Sequence, residues 1–209
     1  MRVSAILGGM KRLGDPARDV DAHFTYRHYR TWPDEERWEL IDGVAWAMSP
    51  APIRYHQRIA GRFFTKLDVF LEGKDCRAYI APFDVLLPRG DEPDDDVDCV
   101  VQPDVVVYCD RSKLTRAGAR GAPDLALEVL SPSTSKKDQR EKFGLYERTG
   151  VREYWVADPA GKWLCVYRRD AQGGFDGGEL RDPDREYGPI ESSVLEGFVI
   201  DPKKLFEED

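Results

Sequence analysis

A chain of 209 residues is long enough to bury one good core, and one domain is the expectation. Its composition, 41% hydrophobic and 33% charged, is ordinary for a soluble globular protein. The formal net charge of −8 argues against coating nucleic acid by bulk electrostatics, while leaving room for a local basic cleft.

Taken in chain order, residues 1–22 read as a poorly ordered lead-in, broken by Gly8, Gly9, Gly14 and Pro16. A single domain is expected over 23–209. "DAHFTYRHYRTWPDEE" suggests a short helix that stops before Pro33. In "RWELIDGVAWAMSP", apolar residues alternate around Asp42-Gly43, a strong hairpin signal. Ile59, Phe63, Leu67 and Phe70 recur at helical spacing, and Gly73 is a natural stop. "CRAYIAPFDVLLP" reads as one or two strands. The acidic loop Gly90 to Asp98 follows, with six carboxylates and no base. "CVVQPDVVVYC" reads as one buried strand. "DRSKLTRAGARGAP" reads as a loop with room for one helical turn.

The stretch "LALEVLSPST" carries an oddity. Leu125 to Leu130 is a buried strand by its apolar residues, yet Glu128 sits in its middle. An ionised carboxylate there is costly unless something pairs with it. "STSKKDQREKFGLYERTG" then reads as a capped helix ending at Gly150. "REYWVADP" and "KWLCVYRR" are two strands joined by a turn at Gly161, and a last strand lies near Ser193 to Ile200. Together these predict a mixed sheet with helices on its faces.

Cys76, Cys99, Cys109 and Cys165 are scattered, with no CxxC pair and only three histidines, so a structural zinc site is not expected. Reduced thiols in a cytoplasmic protein are expected instead. The N-terminal apolar stretch is too short for a secretory signal, and no run approaches membrane-spanning length.

Asp104 begins one apolar strand and Glu128 lies midway along the next. If the strands pair antiparallel, the two carboxylates come within reach of one cation. Asp124 is a poorer partner for Glu128, because four extended residues separate them by roughly 13 Å. Two hard oxygen ligands completed by water and a substrate phosphate describe a Mg²⁺ site. The plain alternatives stay open: Asp104 as turn chemistry after Pro103, and Glu128 on an edge or paired with an arginine. Asp138, Lys142 and Tyr146 are spaced by four and share a helix face. Lys142 could point back over Glu128, but a solvated Asp138–Lys142 pair is the commoner meaning of this spacing.

Several stretches, "YRTWPDEERWELIDGVAWAMSPAPIRYHQRI", "VQPDVVV", "GAPDLALEVLSPST" and "DQREKFGLYERTGVREYWVADP", resemble the Uma2 family of bacterial proteins. These are described as restriction-endonuclease-like domains of the PD-(D/E)xK nuclease superfamily. The resemblance runs from about Thr25 to Val166, and more loosely to the C-terminus. It implies an α/β fold of the α+β mixed-sheet kind: a restriction-endonuclease-like αβββαβ core with an added N-terminal hairpin and C-terminal strands. It implies metal ligands at Asp104 and Glu128, with Mg²⁺ or Mn²⁺ as cofactor. The superfamily's usual lysine two residues after the Glu is Leu130 here. The family pattern suggests that Lys142 fills that role. Glu39 also matches a family position and is a candidate for the site, as is Asp138. His56 matches as well, but a lone helical histidine is more often a packing or surface residue, so it is kept out of the site.

The leading functional expectation is a Mg²⁺-dependent endonuclease that hydrolyses DNA phosphodiesters. DNA is the expected partner, with no membrane, and with a second copy of the chain as a further candidate. The alternative is a non-catalytic, nuclease-like interaction module, which the missing E-x-K lysine and the acidic charge favour. A third reading, a small-molecule phosphohydrolase, would require a closed pocket too narrow for a duplex.

Overall fold

The computed structural model describes residues 22–33, 36–48, 54–131, 136–184 and 187–208, and only the backbone of 136–139. The expected lead-in falls outside the described residues, apart from Ala22, as does the turn at 132–135. The short helix α1 (Tyr26–Tyr29) leads into a hairpin of β1 (Trp38–Ile41) and β2 (Val44–Ala47). Its turn residues Asp42 and Gly43 have φ of 53° and 75°. A two-residue hairpin loop requires this left-handed pair, which is why Asp-Gly marks it. Helix α2 (Arg54–Leu71) buries Ile59, Phe63 and Leu67 along one stripe.

Then come β3 (Arg77–Ile80), β4 (Asp84–Leu86), β5 (Val100–Val101), β6 (Val105–Tyr108), β7 (Gly118–Arg120) and β8 (Leu125–Val129). Helix α3 (Lys136–Thr149) precedes β9 (Glu153–Asp158) and β10 (Trp163–Arg168). The chain finishes with β11 (Glu179–Arg181), β12 (Ile190–Glu191), β13 (Val199–Ile200) and α4 (Pro202–Leu205).

The strands form two main sheets where one was expected. A six-stranded sheet has the order β11-β10-β9-β8-β6-β3, and a five-stranded sheet has the order β2-β1-β5-β4-β7. The stretch read as one strand, Cys99 to Cys109, is two. β5 pairs with β1 and β4 in the smaller sheet, and β6 pairs with β3 and β8 in the larger. Pro103 has no N–H to give a ladder, so the chain can change sheets at Gln102-Pro103-Asp104. The expected loop 110–123 also hides a strand, because β7 pairs parallel with β4.

Alternation along β8 sets the two faces of the larger sheet. Leu125, Leu127 and Val129 pack with α2, as do Val105 and Val107 of β6. Ala126 points the other way, with Val106 and Tyr108, toward α3 and the smaller sheet. Each fully buried Val or Leu contributes about 1.5–3 kcal/mol. A one-residue slip would move all of them to the wrong face, so register is strongly specified. Glu128 shares its parity with Ala126, and the apolar residues around it therefore fix where its carboxylate points.

Cys76 and Cys109 form a disulfide, correcting the expectation of four reduced thiols. They lie one step beyond the Arg77–Tyr108 pair of β3 and β6, so the fold makes them cross-strand neighbours. Their separation of 33 residues hid this in the sequence. Cys99 and Cys165 are free and buried. Among the described residues no helix is long and apolar enough to cross a membrane.

Candidate active site

Val105 of β6 pairs with Leu127 of β8, antiparallel. One step further along the same register, Asp104 stands opposite Glu128. Directly opposed residues have Cβ atoms about 4.5–5.5 Å apart. The Asp104 Oδ2 accepts the Val129 backbone N–H at 2.8 Å and lies 3.3 Å from His56 Nε2. The Glu128 Oε1 accepts the Tyr146 hydroxyl at 2.7 Å and the Lys142 ammonium at 3.0 Å. Asp104 Oδ1 and Glu128 Oε2 have no hydrogen-bond partner among the described residues. Each carboxylate is thus held by one oxygen and leaves the other available.

Lys142 and Tyr146 reach Glu128 because they are one turn apart on α3. A glycine cap fixes the end of that helix. Gly150 has φ of 95°, its N–H bonds Glu147, and the Val151 N–H bonds the Tyr146 carbonyl at 3.0 Å. This is the Schellman arrangement, which favours Gly at the left-handed position. Glu39 comes from the smaller sheet. In β1 it alternates with Leu40, so it faces the larger sheet while Leu40 packs outward. Its Oε1 lies 2.9 Å from Lys142 Nζ and accepts the Gln102 backbone N–H at 2.8 Å.

The four groups are unequally reachable. Side-chain exposure is 4% for Glu39 and 8% for Lys142, but 12% for Glu128 and 19% for Asp104. Asp104 is thus the most exposed of the four and Glu39 the least. Burial pushes the Glu128 carboxyl up, to about 8; Lys142 opposes this, and the charges of Asp104 and Glu39 add to it. Burial lowers the His56 imidazole, but the hydrogen bond and charge of Asp104, with the charge of Glu128, outweigh it and leave it raised.

The sequence reading is corrected at His56, whose ring is 3.3 Å from Asp104 and belongs to this constellation. Lys142 is not solvated: its ammonium is buried against Glu39 and Glu128. The side chain of Asp138 lies outside the described residues, as do those of Lys136 and Lys137. Tyr146 was placed on the right helix face but given no role, because spacing alone does not reveal what a hydroxyl will meet. Asp124 is engaged elsewhere, accepting from the Cys109 N–H at 2.8 Å and pairing with Arg152 at 2.9 Å.

A second acidic group, Asp42, Asp98 and Cys99, has ligand atoms within 4.8 Å of one another. Arg89 bridges Asp42 and Asp98 at 2.7 and 3.1 Å, and Arg148 reaches Asp42 at 2.6 Å. Guanidinium groups already neutralise those carboxylates.

Helix α2, strands β3, β6 and β8, helix α3 and strand β9 give the order αβββαβ, with β3, β6, β8 and β9 adjacent in one mixed sheet. That order, with one acidic residue just before β6 and another on β8, defines a restriction-endonuclease-like α+β fold. Residues 26–202 match the Uma2 family model, described as "Putative restriction endonuclease", and the chain belongs to that family. A Synechocystis protein named "Uncharacterized protein slr1290" is 27% identical over 148 residues, covering 69% of this chain and 74% of its own length. A crystal structure from Anabaena variabilis, described as "a putative nuclease belonging to DUF820", superposes with a TM-score of 0.68. It is 21% identical, and the match covers 88% of this chain and 97% of that one, so the two share a fold.

Proposed function

We propose that the protein is a divalent-metal-dependent nuclease that hydrolyses phosphodiester bonds in DNA. Asp104 and Glu128 hold the ion, Mg²⁺ or Mn²⁺, and Lys142 replaces the lysine absent at Leu130. The observation that carries this reading is the pair of free oxygens, Asp104 Oδ1 just before β6 and Glu128 Oε2 on the neighbouring strand β8. Two hard oxygen donors fit Mg²⁺ or Mn²⁺ and suit soft metals poorly. A bound divalent cation supplies positive charge to a phosphate oxygen and lowers the pKa of an attacking water.

The remaining work falls to the protein's own groups. Tyr146 and the Val129 N–H orient the two carboxylates by the oxygens they engage. Glu39, anchored by the Gln102 N–H, holds the Lys142 ammonium beside Glu128. From there Lys142 can stabilise charge building on the phosphate, in a site where little water competes. His56 steadies Asp104 from α2.

One observation favours the second reading, a non-catalytic module. Lys142 already joins Glu39 and Glu128, which is a self-satisfied ion cluster. Incubation with supercoiled plasmid in Mg²⁺, Mn²⁺ or EDTA separates the two. A nuclease nicks or linearises the plasmid with metal, fails in EDTA, and is inactive as Glu128→Ala. A module leaves the plasmid intact in every arm.

A further inference from the structure

A cavity of about 300 Å³ lies on the outer side of the smaller sheet, beneath α1. Tyr29, Trp32 and Trp38 wall it, and Arg37, Asp84 and Gln102 supply its polar floor. The floor is tightly organised. The Gln102 side-chain amide donates to Asp84 Oδ1 at 2.8 Å and to the Tyr29 hydroxyl at 3.0 Å. Tyr29 in turn donates to Asp84 Oδ1 at 2.9 Å, and Arg37 donates to Gln102 Oε1 at 2.7 Å through Nη2. The two bonds to Asp84 both fall on its Oδ1. Its Oδ2, and the Nη1 of Arg37, have no protein partner among the described residues. The cavity therefore presents a free acceptor and a free cationic donor between half-buried aromatic rings.

The same three chain stretches build the cavity and the candidate active site. Trp38 adjoins Glu39, whose carboxylate points to the opposite face of β1. Gln102 lines the cavity with its side chain and bonds Glu39 with its backbone N–H. Pro82 lines it too, and the neighbouring Ala81 N–H bonds the Asp104 carbonyl at 3.0 Å. Consecutive Cα atoms are about 3.8 Å apart, so the two sites are separated by little more than a strand's thickness.

We infer that this cavity binds a single unstacked nucleobase of the nucleic-acid substrate, stacked on its aromatic wall and read at its edge by Asp84 and Arg37. This rests on the nuclease reading and adds to it how substrate is gripped. A planar heteroaromatic ring with an amino donor and a ring acceptor matches a carboxylate beside a guanidinium. The volume is at the lower end for ligand sites, which suits one base and excludes a base pair with its backbones. The net charge of −8 gives no bulk attraction for a polyanion, so affinity has to come from local contacts such as stacking.

The test is equilibrium binding of the full chain, in EDTA to prevent cleavage, to two short single-stranded oligodeoxynucleotides. One carries bases, and the other has the same length and backbone with every position abasic. Tryptophan fluorescence is the readout. Wild type should bind the base-bearing strand about tenfold or more tighter, with quenching. Asp84→Asn and Arg37→Met should each erase most of that preference, and Glu128→Gln should keep it. If Asp84→Asn does not fold, Arg37→Met and the abasic strand still decide the matter. Equal affinity of wild type for the two strands, no binding of either, or an undiminished preference in the pocket variants overturns the inference. Base preference without plasmid cleavage would discard the nuclease reading and keep the cavity. Cleavage without base preference would do the reverse.

Discussion

The Lys142 ammonium lies 3.0 Å from Glu128 Oε1, fourteen residues earlier in the chain and on the neighbouring strand β8. Glu128 is tolerated within an apolar strand because a buried cation and a tyrosine hydroxyl meet it there. Taking Lys142 away would leave the Glu39 and Glu128 carboxyl groups buried beside each other without their cation, so that Glu128 must either stay charged unpaired or take up a proton and give up its ionic contact. Breaking a buried pair in this way costs about 3–5 kcal/mol. Lys142→Ala should therefore lose that much stability in urea titrations at pH 8 without metal. A loss below about 1 kcal/mol, the range of exposed pairs, would mean that the contact is not maintained.

Proton binding should make the metal-free protein less stable as pH rises. The Glu128 carboxyl is raised from 4.5 to about 8, and the His56 imidazole is raised above 6.5. For both groups the folded state binds protons more tightly than the unfolded state. Their contribution is complete below the unfolded values and is lost as pH climbs through the folded ones. Melting temperatures should fall between pH 5 and pH 8, and Glu128→Gln should flatten the slope. A melting temperature that rises across this window in wild type would reverse the assigned direction.

Divalent cations should stabilise wild type and leave the ligand variants unmoved. A ligand that binds only the folded state at a hundred times its Kd adds about 2.7 kcal/mol. Thermal melts with and without millimolar Mg²⁺ or Mn²⁺ measure this directly. Asp104→Ala and Glu128→Ala should show no shift. Equal shifts in wild type and both variants would point to binding elsewhere.

The thiol count distinguishes the disulfide from the reduced alternative. Denatured protein, unfolded without reductant, should alkylate at Cys99 and Cys165 only. Closing a span of 33 residues constrains the unfolded chain by about 3–4 kcal/mol, so reductant should lower the melting temperature. Four alkylated cysteines without reductant would show that Cys76 and Cys109 are not joined.

The parts of the fold governed by local chemistry were legible in the sequence. Asp42-Gly43 announced its hairpin, the Ile59–Phe63–Leu67 stripe announced α2, and the apolar run around Glu128 announced β8. The Asp104–Glu128 opposition followed from a simple antiparallel assumption that the β6–β8 register bears out. What the sequence hid was long-range. Nothing local says that Val100 and Val105 lie in different sheets, although Pro103 was a signal for a break. β7 is three residues with no apolar alternation, held by its parallel partner β4. Glu39 meets Lys142 only because two sheets pack face to face. His56 looked like a packing residue because its partner is 48 positions away on another element.

The most direct measurement is the rate at which a labelled DNA duplex is cut in Mg²⁺ by wild type, Glu128→Gln and Lys142→Met, each at concentrations where it is fully folded. The account predicts metal-dependent cleavage by wild type, none by Glu128→Gln, and a rate lower by about two orders of magnitude for Lys142→Met, the scale for losing one preorganised charge donor. Cleavage by Glu128→Gln at the wild-type rate, or no cleavage by wild type on any duplex or single strand with Mg²⁺ or Mn²⁺, would contradict it.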